Sequence, residues 1–394
     1  MRIALVGPAH PYKGGGARHT TELAGRLAAA GHDVVICSWR AQYPKRLYPG
    51  QQTIEVPEGA AYPRTRRRLS WYRPDGWLAE GRRLASADLV IFALLTPLQV
   101  PAYLAILAGL RPGPGQRRVP GQRRPRTAVI CHNVLPHERR PGDVTLTRIL
   151  LAHVDTVIVH SAEQAALARE LAPGVPVVTA QMPPHLPAAA SGLPAVEHAN
   201  KAERTSVPAP SHVHPPAPEI GPERCRLLFF GIVRPYKGLD VLLRALARGP
   251  AHLTLTVAGE FWGGTGETEK LIAELGIGHR VRLRPGYLPA DEIPALFAAA
   301  DALVLPYREA TASQNALLAF AHGVPVITTT AGALGELVRD GVDGLTCAPG
   351  DTGDLVRALA AVSAPGAADR LRAGIRDVDP EPCWAAYLQA LPTR

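Results

Sequence analysis

The first forty residues limit the architecture more than any other part of the chain. RIALV, from Arg2, is a short apolar run. GPAHPYKGGG is a loop, and ARHTTELAGRLAAAG has Leu23, Leu27 and Ala28 on one helical face before Gly31 stops it. DVVIC then makes a second apolar run. Strand, glycine-rich loop, helix, strand is a βαβ unit, and it requires a parallel sheet covered by helices. Further strands are expected at 89–95, 127–131 and 154–159. From Arg226 the alternation restarts with strand RLLFFG, helix GLDVLLRALARG, strand HLTLTVAG, helix ETEKLIAELG and strand RVRLRPG. Helix ADEIPALFAAA, strand DALVLP, helix SQNALLAFAHG, strand PVITT and a last strand–helix pair to about Val362 follow.

The sequence reads as α/β, with two Rossmann-like, doubly wound parallel-sheet domains facing across a cleft. The first covers 1–182 and the second 224–379. Between them, 183–223 is rich in Pro, Ala, Ser and His and has no strand or helix period, so it reads as a linker or disordered loop. Residues 380–394 hold a short amphipathic helix with Trp384, Tyr387 and Leu391 on one side. Two stretches of the first half read as loops. Residues 62–77 mix five Arg with Trp71, Tyr72 and Trp77, and 111–126 are Pro/Gly/Arg-rich and expected to be a mobile surface insertion.

The apolar stretch from Leu89 to Leu110 has 22 residues without a charge, enough to span a bilayer. Pro97, Gln99 and Pro101 interrupt it, so a buried strand, a turn and an apolar helix are expected. No signal peptide is visible. The five cysteines are scattered with no C-x-x-C pair, which favours a reducing cytosol over a structural zinc.

Charge is uneven. Residues 1–200 hold 24 Lys/Arg against 13 Asp/Glu, a net +11, while the remainder is −2. A basic face attracts phosphorylated ligands, anionic lipid or nucleic acid. No nucleic-acid recognition fold surrounds the Arg-rich 111–126 stretch, so nucleic acid is set aside.

Ligands of such sheets bind beyond the carboxyl ends of the strands. Gly14, Gly15 and Gly16 stand there just before a helix, where backbone N–H groups can approach an anion. They do not form G-x-G-x-x-G, which counts against a dinucleotide. His132 and Asn133 follow strand 127–131, and H-x4-H-E to His137 and Glu138 is not a zinc spacing. In GIVRPYKG, Arg234 and Lys237 lie three residues apart between a strand and a helix, placed to neutralise a diphosphate. In PYREATASQNALLAFAHG a helix starts near Ser313, so N–H groups at Ala312, Ser313 and Gln314 would point at a second phosphate-facing position. Asp377 and Asp379, the only Asp-x-Asp, follow no strand and read as solvent-facing.

With these pieces in place the chain resembles the GT-B glycosyltransferases of sequence family 4, the large retaining group 1 set. The resemblance covers about 1–180 and 224–390. It rests on GPAHPYKGGGARHTTELAGRLAAAGHDV, ICHNVLPHE, FFGIVRPYKGLDVLLRAL, LPYREATASQNALLAFAHGVPVI and GELVRDGVDGLTCAPGD. It implies a nucleoside-diphosphate sugar as donor on the second domain, a hydroxyl acceptor on the first, no cofactor and no metal. Residue by residue, it implies that Gly15 and Gly16 contact the diphosphate or sugar through backbone and that His132 hydrogen-bonds the transferred sugar. Arg234 and Lys237 would bind the diphosphate, Tyr287 and Leu288 would lie near the base, and Ala312, Ser313 and Gln314 would offer N–H groups to the phosphates. The C-terminal helix would cross back to the first domain.

One motif departs from the family pattern. Where E-x7-E is usual, this chain has Ala310 and Leu318, and Glu309 stands one residue early; Glu309 could reach a sugar hydroxyl by a loop shift. The expected activity is retaining transfer of a hexose-type sugar without metal. The alternative is a catalytically degenerate nucleotide- or carbohydrate-binding protein on the same fold. Two acceptors are open: a lipid-linked or cell-envelope glycan, with the basic first domain on an anionic membrane surface, or a soluble natural product. The expected location is cytoplasmic, peripheral to the inner face of the cell membrane for the first acceptor.

Overall fold

The structure is a computed structural model that describes residues 1–44, 52–54, 61–111, 124–186, 224–310 and 313–393. The first domain runs β1 (Arg2–Val6), α1 (Gly15–Ala29), β2 (Asp33–Ala41), β3 (Thr65–Ser70), α2 (Pro74–Leu84), β4 (Leu89–Leu94) and α3 (Val100–Gly109). It continues with β5 (Arg126–Cys131), α4 (Asp143–Leu151), β6 (Thr156–Val159), α5 (Ala162–Leu171) and β7 (Val177–Thr179). Its seven-stranded sheet is parallel, in the order β3-β2-β1-β4-β5-β6-β7.

The second domain runs β8 (Cys225–Phe230), α6 (Leu239–Arg248), β9 (Leu253–Gly259), α7 (Gly266–Glu274), β10 (Val281–Pro285), α8 (Ile293–Ala298) and β11 (Ala302–Leu305). Then come α9 (Gln314–Ala321), β12 (Val326–Thr329), α10 (Leu334–Leu337), β13 (Gly344–Cys347), α11 (Thr352–Val362), α12 (Ala367–Gly374) and α13 (Pro380–Ala390). Six parallel strands lie in the order β10-β9-β8-β11-β12-β13. Each sheet has an apolar layer on both faces, so its central strands are apolar throughout; every residue of β4 is buried. This is the two-domain Rossmann-like α/β architecture expected from the sequence.

The 89–110 stretch forms β4, a short 3-10 turn at Pro97–Gln99 and the buried α3, with the Tyr103 hydroxyl donating to Ala93 O at 2.8 Å. No helix among the described residues is long and apolar enough to cross a membrane. Residues 62–77 correct a sequence expectation. They are not a loop but the edge strand β3 followed by the start of α2. Leu69 and Ser70 are buried at the end of this edge strand, but Arg66, Arg67 and Arg68 before them are all exposed, which hides the strand period. Of the stretches read as mobile or linker, 112–123 and 187–223 lie outside the described residues.

The helix α13 packs on the first domain. Trp384, Tyr387 and Leu391 are buried with Ile3, Leu5, Leu23 and Leu27. Arg26 clasps Glu381 with two bonds of 2.8 Å. Asp379 is exposed and caps this helix, accepting from Glu381 N–H at 2.9 Å.

Candidate active site

The carboxyl ends of the two sheets face each other. In the first domain, β1 leads to the turn at Gly14 and into α1. A Cβ at Gly16 would fall 2.2 Å from the end of the Leu95 side chain, so glycine lets the first turn of α1 lie against the end of β4 without displacing that leucine. In the second domain β8 leads to a 3-10 turn at Pro235–Lys237 and into α6. Gly238 has φ 66°, and a Cβ there would lie 2.0 Å from Pro306 O, which fixes Lys237 beside the end of β11.

A cavity of about 270 Å3 lies between the domains. Gly15, Gly16 and His132 line it from one side; Lys237, Ser313 and Gln314 line it from the other. Ala312 lies outside the described residues. The Lys237 ammonium sits 5.0 Å from the centre of the Tyr307 ring, and no carboxylate among the described residues pairs with it. Burial works against its charge, but the phenol groups of Tyr307 and Tyr236 outweigh that and its pKa is raised. It is therefore a cation at neutral pH.

Ser313 caps α9, its Oγ accepting from Asn315 N–H at 3.3 Å. The first-turn N–H groups of a helix lack partners within it and carry partial positive charge. This helix start therefore opens on the same cavity as Lys237. Gln314 also bridges the domains. Its Oε1 accepts from His185 N–H at 2.9 Å and its Nε2 donates to Pro183 O at 3.1 Å. These bonds tie the segment leaving the first domain to the second.

Other sequence-expected residues are placed differently. Arg234 does not line this cavity. It forks onto Glu138 of the first domain, with Nε 3.2 Å from Oε1, and its guanidinium lies 4.0 Å over the Trp262 ring. Arg234 and Lys237 therefore face adjoining cavities rather than one diphosphate-sized gap. Residues three apart on a 3-10 turn would share a side; Arg234 stands before the turn, in extended backbone, and is directed elsewhere. Glu309 is exposed, and its carboxylate lies 3.4 Å from His137 Nδ1. Tyr287 and Leu288 line neither cavity. Leu288 packs with Ile293, Phe297 and Leu305 in the core.

The structure adds residues that the sequence reading missed. His19, His132, His160 and His185 cluster against Trp384 and Tyr387, with ring centres 5–6 Å apart. A carboxylate only accepts, which sets the direction of the chain. Glu22 Oε2 accepts from His185 Nδ1–H at 2.7 Å, His185 Nε2 accepts from His19 Nδ1–H at 3.2 Å, and His19 Nε2 accepts from the Tyr387 hydroxyl at 3.0 Å. His160 Nδ1 donates to Ala180 O at 3.0 Å. The Nε2 atoms of His132 and His160 are buried without a hydrogen-bond partner, and both residues line the cavity. Buried polar atoms are normally satisfied, so these two are open to a ligand. Burial, reinforced by the neighbouring histidines, holds the His132 imidazole well below its ordinary pKa, and burial pushes His160 down to about 4. Both rings are neutral at pH 7. His160 was legible in principle, because it follows β6 as His132 follows β5.

Residues 13–179 match the family described as Glycosyltransferase Family 4, and residues 224–364 match Glycosyl transferases group 1. Together these cover well over half of the chain. The chain belongs to the family 4, group 1 glycosyltransferases. Among the relatives of this chain, a D-inositol 3-phosphate glycosyltransferase of Mycobacterium sp. (strain KMS) is 31% identical over 159 residues, 40% of this chain and 36% of that one. A glycogen synthase of Mycobacterium tuberculosis (strain CDC 1551 / Oshkosh) is 37% identical over 161 residues, 39% and 37% of the two chains. The matched stretches thus span little more than a third of these curated relatives. Anabaena Alr3699/HepE in complex with UDP and glucose superposes with TM-score 0.66 at 18% identity over 99% of this chain and 100% of that one. WaaG, a glycosyltransferase involved in lipopolysaccharide biosynthesis, gives 0.60 at 19% over 98% and 99%. At these identities the likeness shows the GT-B fold.

Proposed function

We propose that this glycosyltransferase moves a hexose-type sugar from a nucleoside diphosphate to a hydroxyl acceptor, in the cavity between its domains. The observation that carries the reading is Lys237. It is a cation without a carboxylate partner, set beside the open start of α9 and facing that cavity. Two positive features converging on one cavity favour an anion. The diphosphate lies against Lys237 and the N–H groups at Ser313 and Gln314. The sugar lies toward the unpartnered Nε2 atoms of His132 and His160.

In the transfer the bond from the anomeric carbon to the phosphate oxygen breaks, and its electron pair leaves on the diphosphate. Lys237 and the helix start stabilise that growing charge. The acceptor oxygen bonds to the anomeric carbon, and its proton passes to the departing phosphate. No carboxylate lines this cavity among the described residues. This supports a same-face, retaining route without a covalent glycosyl-enzyme. Charge neutralisation falls to Lys237 and α9 rather than to a metal, so chelator is expected to leave turnover intact. Arg234 joins the site only if the Glu138 pair opens.

The names of the two mycobacterial relatives cover a phosphorylated cyclitol and a polysaccharide, so they do not choose the acceptor. Exposed Arg66, Arg67, Arg68, Trp71 and Tyr72 support contact of the first domain with an anionic membrane surface. Salt-dependent co-sedimentation with anionic liposomes tests that contact.

The transferase reading is tested by thermal-shift screening against nucleoside diphosphates and their sugars, with UDP as the first to try. A bound ligand raises the melting temperature. A sugar nucleotide that stabilises the chain and is consumed supports the reading. Binding with no transfer or hydrolysis favours the non-catalytic alternative, and absence of any stabilisation contradicts both.

A further inference from the structure

His160 follows β6 on the first-domain wall of the cavity between the domains, and its ring is held from two sides. The Tyr387 ring of α13 stacks on it, with centres 5.9 Å apart and planes 28° from parallel. Its Nδ1 lies 3.0 Å from Ala180 O. The Ala180 N–H donates to Val159 O at 2.8 Å, which keeps that carbonyl in place just beyond β7. A carbonyl oxygen only accepts, so Nδ1 carries the hydrogen. Burial pushes the His160 pKa down to about 4, and a neutral imidazole has a single ring hydrogen. That hydrogen is committed to Ala180, and Nε2 is a bare lone pair. Turning the ring over would break the Ala180 bond, so Nε2 stays an acceptor. His160 is only 6% exposed, it lines the cavity, and no protein group among the described residues bonds its Nε2.

We propose that His160 determines donor specificity: its Nε2 accepts a hydrogen bond from one hydroxyl of the transferred sugar, so the enzyme discriminates against sugars in which that hydroxyl is replaced by hydrogen or fluorine. The inference rests on the transferase reading above and deepens it. A buried acceptor is normally satisfied. A ligand that displaces water from this atom loses affinity unless it brings a hydrogen of its own. An ionised diphosphate brings none, and its place is with the donors Lys237 and the start of α9 on the opposite wall. A sugar hydroxyl brings one. Sites built to bond a substrate hydroxyl reject the analogue that lacks it, because the protein atom is then left buried and unpaired.

The test is calorimetric binding of UDP, UDP-glucose and UDP-glucose fluorinated in place of the 2-, 3-, 4- or 6-hydroxyl. Should thermal shift select another sugar nucleotide, that compound and its fluorinated analogues are used instead. Fluorine fills the place of a hydroxyl but cannot donate. One analogue should bind the wild-type chain about tenfold or more weakly than UDP-glucose. In His160→Asn the amide nitrogen takes the place of Nδ1 and nothing takes that of Nε2, so the penalty for that analogue should shrink below about threefold. His160→Gln, whose amide oxygen reaches toward the place of Nε2, should keep much of the penalty. UDP affinity should be the same in all three chains; a merely structural role would weaken every ligand alike. Should His160→Asn fail to fold, the nitrogen NMR signal of His160 Nε2 in the wild-type chain, assigned by its loss in His160→Gln, should move on adding UDP-glucose and not on adding UDP. UDP binding with all analogues within about threefold of UDP-glucose overturns the inference and leaves the transferase reading standing, and so does a penalty that persists in His160→Asn or an Nε2 signal that ignores the sugar. Failure of every nucleoside diphosphate to bind overturns both.

Discussion

His19 donates its Nδ1–H to Nε2 of His185 at 3.2 Å, joining residues 166 positions apart in the chain. Through this bond α1, the segment leaving the first domain and α13 share one hydrogen-bonded chain that ends on Glu22. The same chain borders the cavity through His185, beside His132 and His160. Folding of the terminal helix and shaping of the site are therefore coupled.

This cluster makes the protein acid-labile above the range where carboxylates titrate. His160 is lowered by burial from the ordinary 6.5 to about 4, and His19, His132 and His185 are lowered too, with burial the leading cause. Between those values the unfolded chain binds protons that the folded chain refuses. Stability is therefore full above pH 6.5 and falls as pH drops toward 4. Each such histidine contributes a loss of up to about 1.4 kcal/mol per pH unit. Melting temperature should be flat above pH 7 and fall steeply below 6, and His160→Gln should reduce the slope. An unchanged slope in that variant would contradict this assignment.

The Lys13–Glu260 pair spans the domains with both side chains largely buried. Removing Lys13 strands the Glu260 carboxylate, and removing Glu260 takes away the carboxylate that clasps Lys13. Glu260→Gln or Lys13→Met should destabilise by about 3–5 kcal/mol, whereas the double variant Lys13→Met/Glu260→Gln should recover much of that. Denaturant titration of the three variants checks this, and additive losses would show that the pair is not coupled.

Much of this organisation was legible in the sequence. The βαβ signal, the restart at Arg226 and the apolar strands give both sheets, because parallel strands buried on two faces must be apolar throughout. β3 escaped because an edge strand tolerates three exposed residues in a row, Arg66 to Arg68, which erases the apolar alternation. The positional rule of strand carboxyl ends found Gly16, His132 and Lys237. It could not show that Arg234 turns to Glu138, since that pairing joins residues 96 positions apart. His19, His185 and Glu22 sit on a helix and a linker without any local motif. Only the tertiary fold brings them together.

His132 faces the sugar in the proposed complex, as a neutral ring with an open Nε2. His132→Ala should lower kcat roughly tenfold, the scale of one lost hydrogen bond, with little change in affinity for the bare nucleoside diphosphate. Steady-state kinetics beside diphosphate binding separates the two effects. Equal losses in both would place His132 against the phosphates instead.

The most direct measurement is calorimetric binding of the selected nucleoside diphosphate to the wild-type chain and to Lys237→Met. A charge-assisted contact is typically worth about 1.5–3 kcal/mol. The dissociation constant should rise roughly tenfold to a hundredfold in the variant, with the melting temperature of the free variant unchanged or higher. An affinity equal to that of the wild type would contradict the phosphate-binding role of Lys237, because the only unpaired cation described in that cavity would then hold no phosphate.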